Sequence, residues 1–561
     1  MIAFVLADFL TLDNALGPSF DKQFLPETMD RLPTVNDTGL KVEKVTEGLD
    51  FPSNMAFLGQ DDILVTEKNN GTVRRVINGT IQHDPLLDVN VATRAERGML
   101  GIAVSDKKNA STNANNPQYV YLYFTKSVND KDSNGTDTGE NSGGNYLFKY
   151  ELVNSKLTNA VLLLNLSNHT GFAHNGGALI FGPDNNLYVP IGDADGYSNS
   201  TASLPSNVFD NNLTTRWSNP GVGSWIRADL GTSKNICSVD IAWFKGNERQ
   251  YNFVIATSTD GTTFVNKLSG KSSGSTLNSE KYIIPSTNAR YVKVTVNGNN
   301  VNNYVHMTEL DIFGSSGSCT TNIPIRGVIA NGYELGFPEH NTEAQNIIGG
   351  GPPDNTGGIL TITIDGRSYA NILGNSEHLN KYYAYGIRNS FGLDFDPLTG
   401  NLWDTENGAD YGDEINLVNP GFNSGWKKVQ GKAPQGFNYS ELISFNGNGK
   451  YRDPELSWQE TVGPTEIKFL NSDKLGKKYM NDIFVTDIKY GRIYHFDLND
   501  NRDGLILSNT LADKVANSDK ESSQAIFGSG FNGITDMDVG PDGYLYVLSF
   551  GNGAIYKILP K

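Results

Sequence analysis

The chain has 561 residues, of which 38% are hydrophobic, and a formal net charge of −17 at pH 7. Its length allows more than one domain, and its apolar share supports a packed core. The acidic balance excludes nucleic acid and anionic membranes as partners, because both need basic patches.

The N-terminus, MIAFVLADFLTLDNALG, has an apolar run from Ile2 to Leu6 and a second near Phe9. It lacks a basic start and is too short to cross a bilayer. A secretory-signal remnant and an apolar tail packed on the body are both open. Residues 1–40 read as an irregular extension. Lys41 to Val45 then alternates as an edge strand does.

From Met55 a unit recurs: apolar strand, polar turn with Gly or Asp, apolar strand, Gly-bearing corner, apolar strand. Copies run over 55–77, 100–152, 178–193, 391–418, 466–498 and 534–559. In the third copy Ala178 to Phe181 and Leu187 to Val189 flank the turn Gly182-Pro183-Asp184-Asn185-Asn186. Its outer strand is displaced to 357–366. A lone sheet of this kind cannot bury both faces, whereas radial stacking buries them and leaves short edges. Six copies predict an all-β, six-bladed β-propeller over 41–197 and 318–561, closed by the early strand at 41–45. A β-sandwich of similar hairpins ranks lower, because sandwiches do not repeat the GPDG-x-LYV signature.

The gap inside the third copy is too long for a loop. Residues 198–317 hold alternating strands with Asp-Gly and Asn-Gly turns, which predicts an inserted β-sandwich. Cys237 and Cys319 are the two cysteines. One disulfide and two buried thiols are both open, and no CxxC pattern points to zinc or redox chemistry. Asn-x-Ser/Thr sequons are frequent, Asn36, Asn70, Asn78 and Asn438 among them. That density leans towards a secreted or cell-surface protein and leaves glycosylation open.

The segments ERGMLGIAV, HNGGALIFGPDNNLYVPIGD, YGIRNSFGLDFDPLTGNLWDTENGADYGDEINLV and GPDGYLYVLSFGNGAIYKI resemble the glucose/sorbosone dehydrogenase family. Its members are soluble quinoproteins on a six-bladed propeller that bind pyrroloquinoline quinone (PQQ) and calcium. The resemblance implies that His174 is the catalytic base and Asp193 its orienting carboxylate. Imidazole titrates near neutral pH, so it suits the role. Arg388 and Asn389 match the quinone-contacting pair, and Lys489 matches a cofactor-contacting lysine. The carbonyls of Gly408 and Ala409, with Asp410 nearby, would bind the calcium. Asp413 and Glu414 are further acids in that segment.

The sequence also departs from the family pattern. Glu96 stands where sugar-oxidising members have glutamine. Gly533 and Thr535 stand where they carry two arginines for the cofactor carboxylates, so the PQQ cradle loses two cations. The insert resembles a discoidin, or coagulation factor five/eight type C, domain, bookended by DNNLTTRW and TELDIFG. That resemblance implies glycan binding and a calcium held by Asp210, Thr215 and Glu309. Trp217, Trp225 and Trp243 read as core.

The leading expectation is PQQ- and calcium-dependent oxidation of a sugar, polyol or aldehyde outside the cytoplasm, with the insert on glycan. The alternative is a non-catalytic propeller that binds glycan or protein. The substrate, the electron acceptor and the oligomeric state, a homodimer among the options, are left open.

Overall fold

The computed structural model describes residues 32–105, 118–127, 132, 142–166, 173–193, 208–209, 213, 216–219, 223–301, 305–314, 319, 321–323, 325, 327–330, 357–368, 370–375, 379–426 and 428–561. The chain divides into two compact units. One comprises Met1–Asp195, Thr342–Gln345 and Asn355–Lys561, and the other Gly196–Asn341 and Asn346–Asp354. Among the described residues no helix is long and apolar enough to cross a membrane.

The first unit is all-β and propeller-like. Five sheets have blade form. Pro52–Gly59, Asp62–Glu67, Thr72–Ile77 and Thr80–Ile81 make one, and Met99–Val104, Gln118–Ser127, Ser142–Val153 and Lys156–Leu166 the next. Ser390–Phe395, Leu402–Glu406, Asp413–Val418 and Leu456–Trp458 form a third. Pro464–Phe469, Ile483–Asp487, Ile493–Phe496 and Ile526–Ser529 form a fourth. Ile534–Val539, Leu545–Ser549 and Ala554–Pro560 are completed by Leu40–Glu47, with Val42 opposite Ile558.

The expectation of six blades is corrected to five of blade form, while the displaced outer strand expected at 357–366 is present as Gly358–Ile362. The sheet at the interrupted copy begins with the two-residue strand Ile180–Phe181 and continues through Leu187–Ile191, Gly358–Ile362 and Tyr382–Tyr385. It ends in two short parallel strands, Phe422–Asn423 and Lys450–Tyr451. The insertion separates its strands in sequence, so the local hairpin pattern is lost. The N-terminal extension is also less irregular than expected, since Thr34–Val35 pairs with Gly528 and Ser529.

Neighbouring sheets are stitched by buried side chains on their first and second strands that bond to backbone. Ser53 Oγ donates to the Met99 carbonyl at 2.6 Å, Thr405 Oγ1 to Thr465 at 2.5 Å, and Thr465 Oγ1 to Ile534 at 2.8 Å. Thr535 Oγ1 donates to the Pro52 carbonyl at 2.9 Å. Each bond satisfies a polar group that burial would otherwise penalise. A Cβ at Gly101 would lie 1.7 Å from the Gly177 carbonyl oxygen, so only glycine permits that approach. Between sheets the core is apolar and aromatic, with Trp403, Trp458 and Tyr494 fully buried against Ile467 and Val485.

The second unit is a continuous eight-stranded sheet rather than two separate ones. Its strands Ser224–Trp243 and Glu280–Asn299 are each 20 residues long and carry register shifts at Asp229/Lys234 and Ile236/Ser238. Such bulges bend a strand, and residues from both halves share one core. Trp217 and Trp243 are buried in that core, while Trp225 is half-buried with the Lys293 ammonium over its ring. Cys237 and Cys319 form a disulfide, which settles the choice between bridge and thiols.

Candidate functional site

His174 enters its strand–turn–strand unit at φ 55°. A non-glycine residue there carries local strain, which persists where surrounding bonds impose it. Its backbone amide donates to Glu96 Oε2. Its carbonyl packs on Gly192, where a Cβ would come within 2.1 Å of the His174 oxygen. The Gly-Asp corner is therefore a steric requirement, and it delivers Asp193 back to the imidazole.

His174 Nδ1 lies 2.5 Å from Asp193 Oδ1, and both residues are buried. Asp193 Oδ2 accepts from Trp426 Nε1 at 2.8 Å. Burial alone would raise the Asp193 carboxyl. The neighbouring His174 and Arg388, with the Trp426 bond, outweigh it and hold the carboxyl well below the usual range. Asp193 is thus ionised, and it can only accept, so the ring presents N–H from Nδ1 to it.

Arg388 joins the same group. Its carbonyl accepts from the Asp193 amide at 2.8 Å, and its guanidinium lies 5.4 Å from the Trp426 ring centroid. Its Nη1 donates to the carbonyls of Asn407 at 2.9 Å and Gly408 at 2.7 Å. Among the described residues its buried Nε has no partner, nor does the buried Oδ1 of Asn389, the next residue in the chain. An unused donor and an unused acceptor fit a ligand rich in oxygen and N–H groups.

The same geometry corrects the expected calcium site. The Gly408 carbonyl that was to ligate the cation already accepts from a guanidinium. A divalent ion on that oxygen would sit against a positive charge. Asp410 is exposed. The expected calcium ligation by the Gly408 oxygen does not fit its bond to Arg388. In the insert, Glu309 is buried on Val305–Gly314, opposite Ala242. Asp210 and Thr215 lie outside the described residues.

The two further acids of that segment are buried. Asp413 ties the loop down: its Oδ1 accepts from the Gly408 amide at 2.8 Å and its Oδ2 from those of Val462 at 2.6 Å and Gly463 at 2.8 Å. Lys489 reaches the same strap, donating to the Thr461 carbonyl at 2.6 Å. Glu414 lies opposite Glu406 across the sheet, and Ser424 Oγ bridges them at 3.1 and 2.5 Å. Glu406 Oε1 accepts from the Arg388 amide at 2.7 Å. Burial, then the nearby Asp404, pushes Glu406 up to about 8, and burial with Glu406 raises Glu414.

Thr535 spends its hydroxyl on the ring stitch to Pro52, and Gly533 adopts φ 79°, which disfavours any side chain. The two positions from which family arginines would reach are therefore filled by packing. Sequence reasoning missed Trp426, Glu406 and Ser424. Trp426 and Ser424 lie outside the quoted motifs, and Glu406, though inside one, carries no signal of its contact with the Arg388 amide.

The sequence model described as Glucose / Sorbosone dehydrogenase matches residues 49–208 and 339–557, and that described as F5/8 type C domain matches 193–310. Aldose sugar dehydrogenase YliI of Escherichia coli K12 is 30% identical over 184 residues, which is 32% of this chain and 44% of that protein. An uncharacterized protein of Synechocystis sp. PCC 6803 is 27% identical over 177 residues, 31% of this chain and 38% of that protein. The chain thus spans less than half the length of these curated relatives. A solved putative oxidoreductase (glucose dehydrogenase) of Thermus thermophilus superimposes with TM-score 0.50 at 18% identity, covering 93% of this chain and all of that one. That likeness is one of fold.

Proposed function

Because the chain belongs to the Glucose / Sorbosone dehydrogenase family, we propose that it oxidises a sugar or a related polyol or aldehyde with PQQ as cofactor. One observation carries the reading. His174, Asp193, Trp426 and Arg388 form a single bonded group where strands of two sheets end.

Oxidising a hemiacetal removes a proton from oxygen and a hydride from carbon. His174 Nε2 takes the proton, since its Nδ1–H is committed to Asp193. The Asp193 charge, 2.5 Å away, stabilises the imidazolium as it forms. Glu96 fixes the His174 backbone and so aims the ring. PQQ, when bound, supplies the quinone that accepts the hydride. Arg388 Nε, Asn389 Oδ1 and the Lys489 ammonium are the groups that would hold it. Arg388 suits this because guanidinium stays charged and forks onto oxygen pairs.

The insert, through its F5/8 type C match, tethers the protein to glycan. Secretion is supported by the Cys237–Cys319 disulfide, since such bonds persist in oxidising compartments. The test is dye reduction by the full chain with added PQQ over a panel of aldoses. His174→Ala should keep PQQ uptake, read by calorimetry, and lose turnover. Absence of uptake by the unmodified chain overturns the reading. It would leave a non-catalytic, glycan- or protein-binding propeller, which the Gly533 and Thr535 packing favours.

A further inference from the structure

Away from the His174 site, the hairpin of Ile483–Asp487 and Ile493–Phe496 gathers a second set of ligand-type side chains. Its register places Ile483 opposite Phe496 and Phe484 opposite His495. Asp482 and Asp497 therefore flank the hairpin as the next cross-strand pair. Strand side chains alternate, so Asp482, Phe484, His495 and Asp497 share one face. His495 Nε2 lies 2.9 Å from Asp482 Oδ2, and one ligand atom from each of Asp482, His495 and Asp497 lies within 4.8 Å of the others.

We propose that Asp482, His495 and Asp497 hold a divalent transition-metal ion of the zinc type. The donor set is one imidazole nitrogen and two carboxylates, which suits zinc or a close neighbour over calcium or magnesium. Three ligands at zinc distance stand about 3.4 Å apart on a tetrahedron. The Asp482–His495 edge is already shorter than that, and the exposed Asp497 needs a shift of at most about 1.4 Å. The imidazole is held in place by Tyr479, edge-on at 5.1 Å, and by Phe484 at 4.9 Å.

Charge supports the same reading. Among the described residues no lysine or arginine pairs with Asp482 or Asp497. The nearby cations are committed elsewhere, Lys478 to Asp37 at 2.6 Å and Arg502 to Asp396 at 2.7 Å. Two carboxylates brought together without a cation repel each other unless an ion or a proton joins them. His495 also lines a cavity of about 450 Å³ with Asn36, Asp37, Tyr479 and Gln524. Asp482 and Asp497 do not line that cavity, so it gives solvent a path to the imidazole only.

The experiment is calorimetric titration of the metal-stripped full chain with Zn²⁺, repeated with Co²⁺ while visible absorption is followed. The expected result is one site, with a Co²⁺ spectrum showing a nitrogen ligand. His495→Gln and Asp497→Asn should each weaken binding at least tenfold while thermal unfolding of the stripped proteins stays cooperative. The Zn²⁺-dependent rise in unfolding temperature should vanish with the same variants. No binding by the unmodified chain, or variants that bind as it does, overturns the proposal. The second result would place the ion on other side chains.

Discussion

The indole N–H of Trp426 lies 2.8 Å from Asp193 Oδ2, the oxygen that His174 does not use. The carboxylate is thereby held at both ends, and its plane fixes the imidazole. Asp193→Asn removes the charge and presents an amide to Nδ1, so the ring loses the tautomer that leaves Nε2 basic. Turnover should fall by about 10²–10⁴-fold with a small change in KM. Trp426→Phe keeps a ring beside Arg388 but loses the donor, and about tenfold is expected, the worth of one hydrogen bond to a charged group. Steady-state kinetics on the PQQ-loaded protein checks both.

Glu96 brings a negative charge to the site proposed for a tricarboxylate cofactor. Glu96→Gln retains a carbonyl oxygen that can accept from the His174 amide and removes the charge. PQQ affinity should rise by roughly fivefold to tenfold, equivalent to about 1 kcal/mol. Titration of the variant beside the unmodified chain measures it, and unchanged affinity would place Glu96 outside the cofactor's reach.

The Glu406–Ser424–Glu414 bridge makes stability depend on pH. Glu406 is pushed up to about 8, first by burial and then by Asp404. An acid whose folded pKa is raised binds its proton more tightly when folded. Its contribution is fully present below the unfolded value near 4.3 and is lost as pH rises through about 8. Urea midpoints should therefore fall between about pH 5 and 8. Glu406→Gln should flatten that decline.

The Cys237–Cys319 bridge spans 82 residues of the second unit. Closing a loop of that size restricts the unfolded chain, so Cys237→Ser with Cys319→Ser should cost roughly 2–4 kcal/mol. In denaturant the transition of the second unit should shift downward, and that of the first should hold. A reducing agent should reproduce the shift.

The parts of this protein that could be read from sequence are those fixed locally. Gly182 to Asn186 announces its turn because Gly182 and Asn186 close it with a 2.8 Å backbone bond and Asn185 takes φ 62°. Alternation in Lys41 to Val45 marks a strand for the same reason. His174 and Asp193 were legible as a pair because one short unit carries both. Trp426 and Glu406 were not, since each approaches through pairings formed only in the folded chain. The Gly408 carbonyl shows the other limit: a motif names an oxygen, while Arg388, 20 residues earlier, decides what that oxygen bonds. Thr34–Val35 and Phe422–Asn423 are two residues each, too short for any period to emerge.

Leu40–Glu47 is made among the first strands and its partner Ala554–Pro560 among the last. During synthesis the early strand must wait through some five hundred residues for its neighbour. Until then Leu40 and Val42, which end up buried, have no sheet to enter. Closure of this sheet therefore waits on the synthesis of everything between the two strands, and a helper that shields the waiting segment would raise the yield of native protein.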